Sequence, residues 1–210
     1  MKYKVMIVED QTMPRELFEL RVQASERFEL ALSIDNAALA DVYCLRFPVD
    51  LILMDVITRD GENGLDAAAR IKHAFPQIKI IIVTSMPECS YLKRAKEIGV
   101  ESFWYKEEQR ESLLDVMERT MNGESVYPGA SPELTLGMAS SYQFTERELD
   151  ILREITSGDT NQEIADRLNM SVATVKTHIL NMLEKTGFRN RTELAVRARE
   201  SGLVILNRRN

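Results

Sequence analysis

The sequence predicts an α/β unit followed by an all-α unit: a flavodoxin-like, doubly wound sheet of five parallel strands, a linker, and a four-helix unit containing a helix-turn-helix. Three observations predict it. Short apolar runs alternate with helical spacings over the first 122 residues, and the run Leu51 to Met54 is apolar at every position, as in a strand buried on both faces. Periodicity then fades across a stretch holding Gly123, Pro128, Gly129, Pro132 and Gly137. From Thr145 onward the apolar spacing is helical only. The expected limits are 1–122, a linker over 123–142, and 143–210.

Lys4 to Val8 reads as a first buried strand, with Glu9 and Asp10 just past its end. Pro14 suits the first turn of a helix, where its missing N–H costs nothing, and Leu17, Leu20 and Ala24 follow at helical spacing. Phe28 to Ile34 is a second strand, and Ala37 to Phe47 a helix stopped by Pro48. The third strand ends on Asp55. Leu65 to Phe75 is helical, with Gly61 and Gly64 ahead of it. Ile78 to Val83 is a strand ending at Thr84. Tyr91 to Ile98 is a helix with Gly99 at its C-cap. Ser102 to Tyr105 is a strand ending at Lys106, and Leu113 to Met121 is the fifth helix.

Composition bounds the function. A hydrophobic content of 44% and a charged content of 29% are those of a globular domain protein. No apolar run reaches the length of a membrane span, and no signal-peptide core follows the N-terminus, so no membrane role and a cytoplasmic setting are expected. Two cysteines, Cys44 and Cys89, lack metal-ligand spacing. The net charge is -6, yet from Ser171 onward 8 basic residues face 3 acidic ones. The last fifth is a basic patch on an acidic protein.

In an open α/β sheet, chemistry collects at the carboxyl ends of strands. A lone strand-end Asp is usually a cap or a solvated carboxylate. Here four strand ends carry acids (Glu9, Asp10, Asp55), a hydroxyl (Thr84) and an amine (Lys106). A carboxylate can accept a phosphoryl group as an acyl phosphate. Charge then gathers on the phosphoryl oxygens and needs cations beside it. Mg2+ would be held by Glu9, Asp10 and Asp55. Lys106 would act as a fixed ammonium and Thr84 as a hydroxyl donor.

Residues 1 to about 122 resemble the receiver domain of two-component response regulators. The matching residues are Glu9-Asp10, Leu-Ile-Leu-Met-Asp55, Thr84-Ser85 and Phe103-Trp-Tyr-Lys106. The resemblance implies that Asp55 takes phosphate from a sensor histidine kinase. It also implies that the main-chain carbonyl of Ile57 is a metal ligand, and that Thr84 and Phe103 move on activation. The loop after the acceptor departs from the family. It lacks the usual Pro, and Gly64 comes nine positions after Asp55 rather than eight, so a more mobile loop is expected. Ile57 and Met86, two positions after Asp55 and Thr84, are apolar and cannot position a water, which predicts slow loss of the phosphoryl group.

In the second part, Thr145 with Glu148 forms a capping box ahead of Leu149, Leu152 and Ile155. Asn161 to Leu168 is a second helix. Ser171 caps a third, with Val175, Ile179, Met182 and Leu183 inward. Asn169 stands where a helix-turn-helix needs a left-handed residue. The outward face of the third helix carries Thr174, Lys176, Thr177, Leu180 and Asn181, suited to the major groove. His178 packs or bonds a phosphate. Arg189, Asn190 and Arg191 form a loop that can grip phosphates. Thr192 opens a fourth helix whose Leu194, Ala195 and Ala198 read as a dimer face.

Residues 144 to about 205 resemble the LuxR/GerE-type DNA-binding domain. The matching stretches are Phe144-Thr-Glu-Arg-Glu-Leu149, Asn161-Gln-Glu-Ile-Ala165, Ser171-Val-Ala-Thr-Val-Lys-Thr-His178 and Arg189-Asn-Arg-Thr-Glu-Leu194. The two resemblances together imply a NarL/LuxR-type response regulator. Such a protein binds double-stranded promoter DNA as a homodimer, has RNA polymerase as a further partner, and is not an enzyme beyond its own phosphotransfer and slow dephosphorylation. A degenerate receiver acting without phosphorylation is one alternative. A Mg2+-dependent aspartyl phosphohydrolase is another, disfavoured because Ile57 occupies the position of that class's second acid.

Overall fold

The computed structural model describes residues 2–59, 63–85, 89–106, 112–129 and 133–204, leaving out the side chains of residues 89 and 90. The chain forms two compact units, the first comprising residues 1–85 and 91–129 and the second the chain from residue 130 on.

The first unit alternates strand and helix. It runs β1 (Tyr3–Val8), α1 (Thr12–Gln23), β2 (Phe28–Ile34), α2 (Ala40–Arg46), β3 (Leu51–Met54), α3 (Gly64–Ala74), β4 (Lys79–Thr84), α4 (Cys89–Ile98), β5 (Ser102–Tyr105) and α5 (Leu113–Met121). The strands order as β2-β1-β3-β4-β5 and every pairing is parallel. The chain goes from β1 to one edge and returns to β3 on the other side of β1, so a crevice opens outside the carboxyl ends of β1 and β3. All four residues of β3 are buried, which is why that strand reads as an unbroken apolar run.

Two helices depart from the sequence reading. In α1, Leu17 and Leu20 are 46% and 64% exposed and Ala24 is exposed, while Phe18 and Val22 are buried. The inward pair is Phe18 and Val22, one helical turn apart, and Phe18 meets Trp104 edge-on at 6.5 Å. The segment expected as a helix from Ala37 to Phe47 begins with a 3-10 turn, Ala37–Leu39, capped by the Asn36 side chain.

The second unit holds β6 (Thr135–Leu136), β7 (Ala139–Ser140), α6 (Glu146–Thr156), α7 (Asn161–Arg167), α8 (Val172–Thr186) and α9 (Arg191–Ser201). Leu149, Leu152, Ile155, Ile164, Val175, Ile179, Met182 and Leu194 build its core. Capping boxes at Thr145 and Thr160 start α6 and α7, and the Ser171 and Asn190 side chains cap α8 and α9. Asn169 adopts φ 52° in the turn between α7 and α8, as that turn requires. The expectation of a dimer face at Leu194 and Ala198 is overturned. Both are fully buried in the core, and the exposed apolar residue of α9 is Val196, at 49%.

Within residues 123–142, Val126 joins the sheet core and accepts the Phe103 amide at 2.8 Å. The β6–β7 hairpin belongs to the helical core through Leu136 and Ala139, and the Met138 amide donates to the Thr186 carbonyl at 3.0 Å.

Candidate functional site

Register brings the strand ends together. Met54 pairs with Val8 on one side and with Ile82 on the other, so Glu9 and Val83 flank Asp55. Thr84 pairs with Tyr105, which sets Lys106 at the same edge. Lys106 Nζ donates to Asp55 Oδ2 at 2.8 Å and to Glu9 Oε2 at 2.5 Å. The second oxygen of each acid is also held. Asp55 Oδ1 accepts the Val56 amide at 2.7 Å, and Glu9 Oε1 accepts the Gln11 amide at 3.1 Å.

This is a buried triad with one cation for two acids. Glu9 and Asp55 are 1% and 5% exposed. Burial raises the Asp55 carboxyl to about 7; the Lys106 ammonium pulls the other way and the Glu9 charge adds to the rise. Burial works against the charge on Lys106, but Asp55 and Glu9 outweigh it and raise the amine. Glu9, Asp10 and Asp55 each offer an oxygen within 4.8 Å of the others, Asp10 being only partly buried. Three hard oxygen donors so spaced fit a divalent cation such as Mg2+, which keeps waters in its remaining positions.

Thr84 is fully buried at the end of β4. Phe103 is 1% exposed and its ring packs tilted against Tyr105, 5.0 Å between centroids, so it is inward here. The loop after the acceptor is tied at both flanks. Ile57 bridges Asn63, Thr58 Oγ1 accepts the Ala37 amide at 2.9 Å, and Arg59 pairs with Asp35 at 2.7 Å. Residues 60–62, including Gly61, lie outside the described residues, as does Met86. The missing side chain of Gly64 is a geometric need: a Cβ there would come within 1.8 Å of the Asp55 carbonyl oxygen. Sequence reasoning missed that close approach. It also missed a groove of about 780 Å³ beside Lys106, lined by Met13, Leu17, Phe18, Trp104 and Ser112 among others. The exposed apolar side of α1 forms one wall of it.

In the second unit, Thr174, Lys176, Thr177, Leu180 and Asn181 are all exposed on α8, and His178 is half-buried. Arg189 and Asn190 are exposed, while Arg191 reaches inward to the Asn161 side chain and the Asp159 carbonyl. The Asn190 side chain accepts the Glu193 amide at 2.9 Å, fixing the start of α9. Sequence reasoning also missed an ion pair in this unit: the half-buried Lys185 Nζ lies 2.7 Å from Oε2 of the buried Glu148.

An α/β domain with acids, a hydroxyl and an amine at one sheet edge, followed by a helix-turn-helix domain, is the layout of a two-domain regulator. The chain belongs to the response-regulator family: residues 5–118 match the response regulator receiver domain, and residues 142–198 match the luxR family of bacterial regulatory proteins. It is 33% identical over 212 residues to the response regulator protein VraR of Staphylococcus epidermidis, covering 97% of this chain and 100% of that protein. Its fold is similar to that of RcsB in a structure of two RcsB dimers bound to two parallel DNAs, with a TM-score of 0.61 at 17% identity over 94% of this chain and 98% of that one. RcsB from Salmonella enterica serovar Typhimurium, bound to promoter rprA with the phosphomimetic BeF3-, gives a TM-score of 0.57 at 18% identity over 94% and 98%. No helix among the described residues is long and apolar enough to cross a membrane.

Proposed function

We propose that Asp55 accepts a phosphoryl group from a phosphohistidine of a sensor kinase, and that the resulting acyl phosphate changes how a dimer of the chain binds promoter DNA. The observation that carries this reading is the Lys106 amine bonded to both Asp55 and Glu9 at the edge where β1, β3 and β5 end. In the transfer, an Asp55 carboxylate oxygen forms the new P–O bond while the donor's P–N bond breaks and the imidazole leaves. Lys106 stands where negative charge grows on the phosphoryl oxygens. The Thr84 hydroxyl is assigned to the same oxygens, and Phe103 to the conformational response. Glu9, Asp10, Asp55 and the Ile57 carbonyl are the assigned holders of Mg2+. When bound, the ion neutralises charge shared by the acids and the incoming group.

On α8, Thr174, Lys176, Thr177, Leu180 and Asn181 are assigned to the major groove. His178 and the loop of Arg189, Asn190 and Arg191 are assigned to the backbone or its support. The division into a receiver, a linker and a DNA-binding domain belongs to this reading, with Val126 counted with the sheet unit and the β6–β7 hairpin with the DNA-binding unit rather than with the linker expected over 123–142. So do a cytoplasmic location, contact with RNA polymerase, and an activity limited to the chain's own phosphotransfer and slow dephosphorylation. A phosphorylation-independent regulator is disfavoured by the full set Glu9, Asp10, Asp55, Thr84 and Lys106.

The test is a gel shift on a promoter library with and without a small phosphodonor and Mg2+. Asp55→Ala is expected to lose the stimulation and keep basal binding. Stimulation unchanged in that variant rejects the switch.

A further inference from the structure

The outward side of α8 is short of charge and rich in methyl groups. Ala173, Thr177, Leu180 and Glu184 recur at helical spacing and are all exposed. Leu180 is 59% exposed and takes no part in the core that Val175, Ile179 and Met182 build from the opposite side. Thr177 Oγ1 donates to the Ala173 carbonyl at 3.0 Å, so its hydroxyl proton is engaged within the helix. Thr174 Oγ1 shares a hydrogen bond of 2.8 Å with Ser171 Oγ. Among the described residues of α8, Lys176 is the one exposed lysine, since Lys185 is held by Glu148. A helix that met DNA by charge alone would not carry a leucine at its centre.

We infer that Leu180, backed by the methyl groups of Ala173 and Thr177, is a specificity-determining residue that reads the C5-methyl groups of thymines in the major groove. The inference rests on the assignment of α8 to that groove. Thymine is the base whose major-groove edge shows a methyl group, and an aliphatic side chain can distinguish it by burying that methyl away from water. Lys176 and Asn181 flank the stripe and supply the polar contacts that fix its register. Each thymine methyl covered by Leu180 contributes about fourfold in affinity, the worth of one buried methyl or methylene group.

The experiment uses the full chain. Preferred sites are selected from a random-sequence duplex pool, and the selected duplex is remade with deoxyuridine replacing one thymine at a time, which removes only the methyl. One or two positions per half-site are expected to weaken about fourfold for the wild type. In Leu180→Ala those penalties should vanish while the thermal midpoint stays unchanged, because the side chain is exposed. Leu180→Lys should regain affinity with a steeper salt dependence and still ignore the uracil change. Uracil tolerated at every position by the wild type overturns the inference and leaves the DNA-binding reading standing. So does a penalty that persists in Leu180→Ala. A chain that selects no sequence and binds no duplex overturns both.

Discussion

Lys106 Nζ lies 2.8 Å from Asp55 Oδ2, joining residues 51 positions apart, and the same amine also holds Glu9. Two acids thus face one ammonium in a buried corner, with the Asp55 carboxyl raised to about 7 by burial and by Glu9, against the pull of Lys106. A carboxyl raised on folding gives stability that is full below its free value, about 4, and lost as pH rises toward about 7. Asp55→Asn is therefore expected to raise the receiver's thermal midpoint at pH 8, without divalent cation, by about 5 °C. The gain should shrink toward pH 4. Calorimetry at the two pH values checks this, and equal midpoints for both proteins at pH 8 would refute it.

Gly64 is placed so that α3 begins against the acceptor's own carbonyl. Gly64→Ala must push the two apart, at about 2 kcal/mol of stability, as for other overpacked buried sites. A displaced acceptor also loses its alignment with the donor. Phosphoryl uptake from a small phosphodonor is expected to slow by about 100-fold. Radiolabel incorporation measures it, and wild-type uptake would mean the loop absorbs the methyl without consequence.

Ile57 is half-buried two residues after the acceptor and bears no group that can orient a water. Ile57→Asn is expected to hasten decay of the phosphorylated protein roughly tenfold, a modest fraction of what orienting a reacting water can give. Loss of labelled phosphate with time reads it directly. An unchanged half-life would detach this position from the lifetime.

Glu148 is 2% exposed and accepts from Lys185 twice, at 2.7 and 2.8 Å, as well as from Thr145. Burial works against its charge, but the Lys185 amine and the Thr145 amide and hydroxyl prevail and lower its pKa. A carboxyl lowered on folding gives stability present above its free value and lost as pH falls through the folded value. Lys185→Ala leaves the acid buried without its cation, and should cost the helical unit about 3 kcal/mol at pH 7. At pH 4 or below the difference should narrow as the acid takes up a proton. Circular dichroism melts at the two pH values test this, and a pH-independent difference would show that the amine acts through its contacts alone.

The elements legible in the sequence are those whose burial leaves a one-dimensional trace. β3 and β5 read to the residue because a strand covered on both faces is apolar at nearly every position. Asp55 was legible because parallel strands bring their carboxyl ends to one edge. The side of α1 was not, since Leu17 and Leu20 are apolar yet exposed, and periodicity reports hydrophobicity rather than contact. Leu194 and Ala198 looked like an interface for the same reason and are core. Glu148 and Lys185 sit 37 residues apart, and only the tertiary fold pairs them. The inward turn of Arg191 was equally hidden, because its partners Asn161 and Asp159 lie 30 and 32 residues earlier in the chain.

The β6–β7 hairpin has a practical consequence for anyone isolating the C-terminal half. Its Met138 amide occupies the Thr186 carbonyl, Gly137 would strike that carbonyl if it carried a Cβ, and β6 lies against α9. A truncation beginning at Gln143 would strip this clasp and uncover the apolar groups beneath Leu136 and Ala139. A fragment begun upstream of Leu134 keeps the clasp.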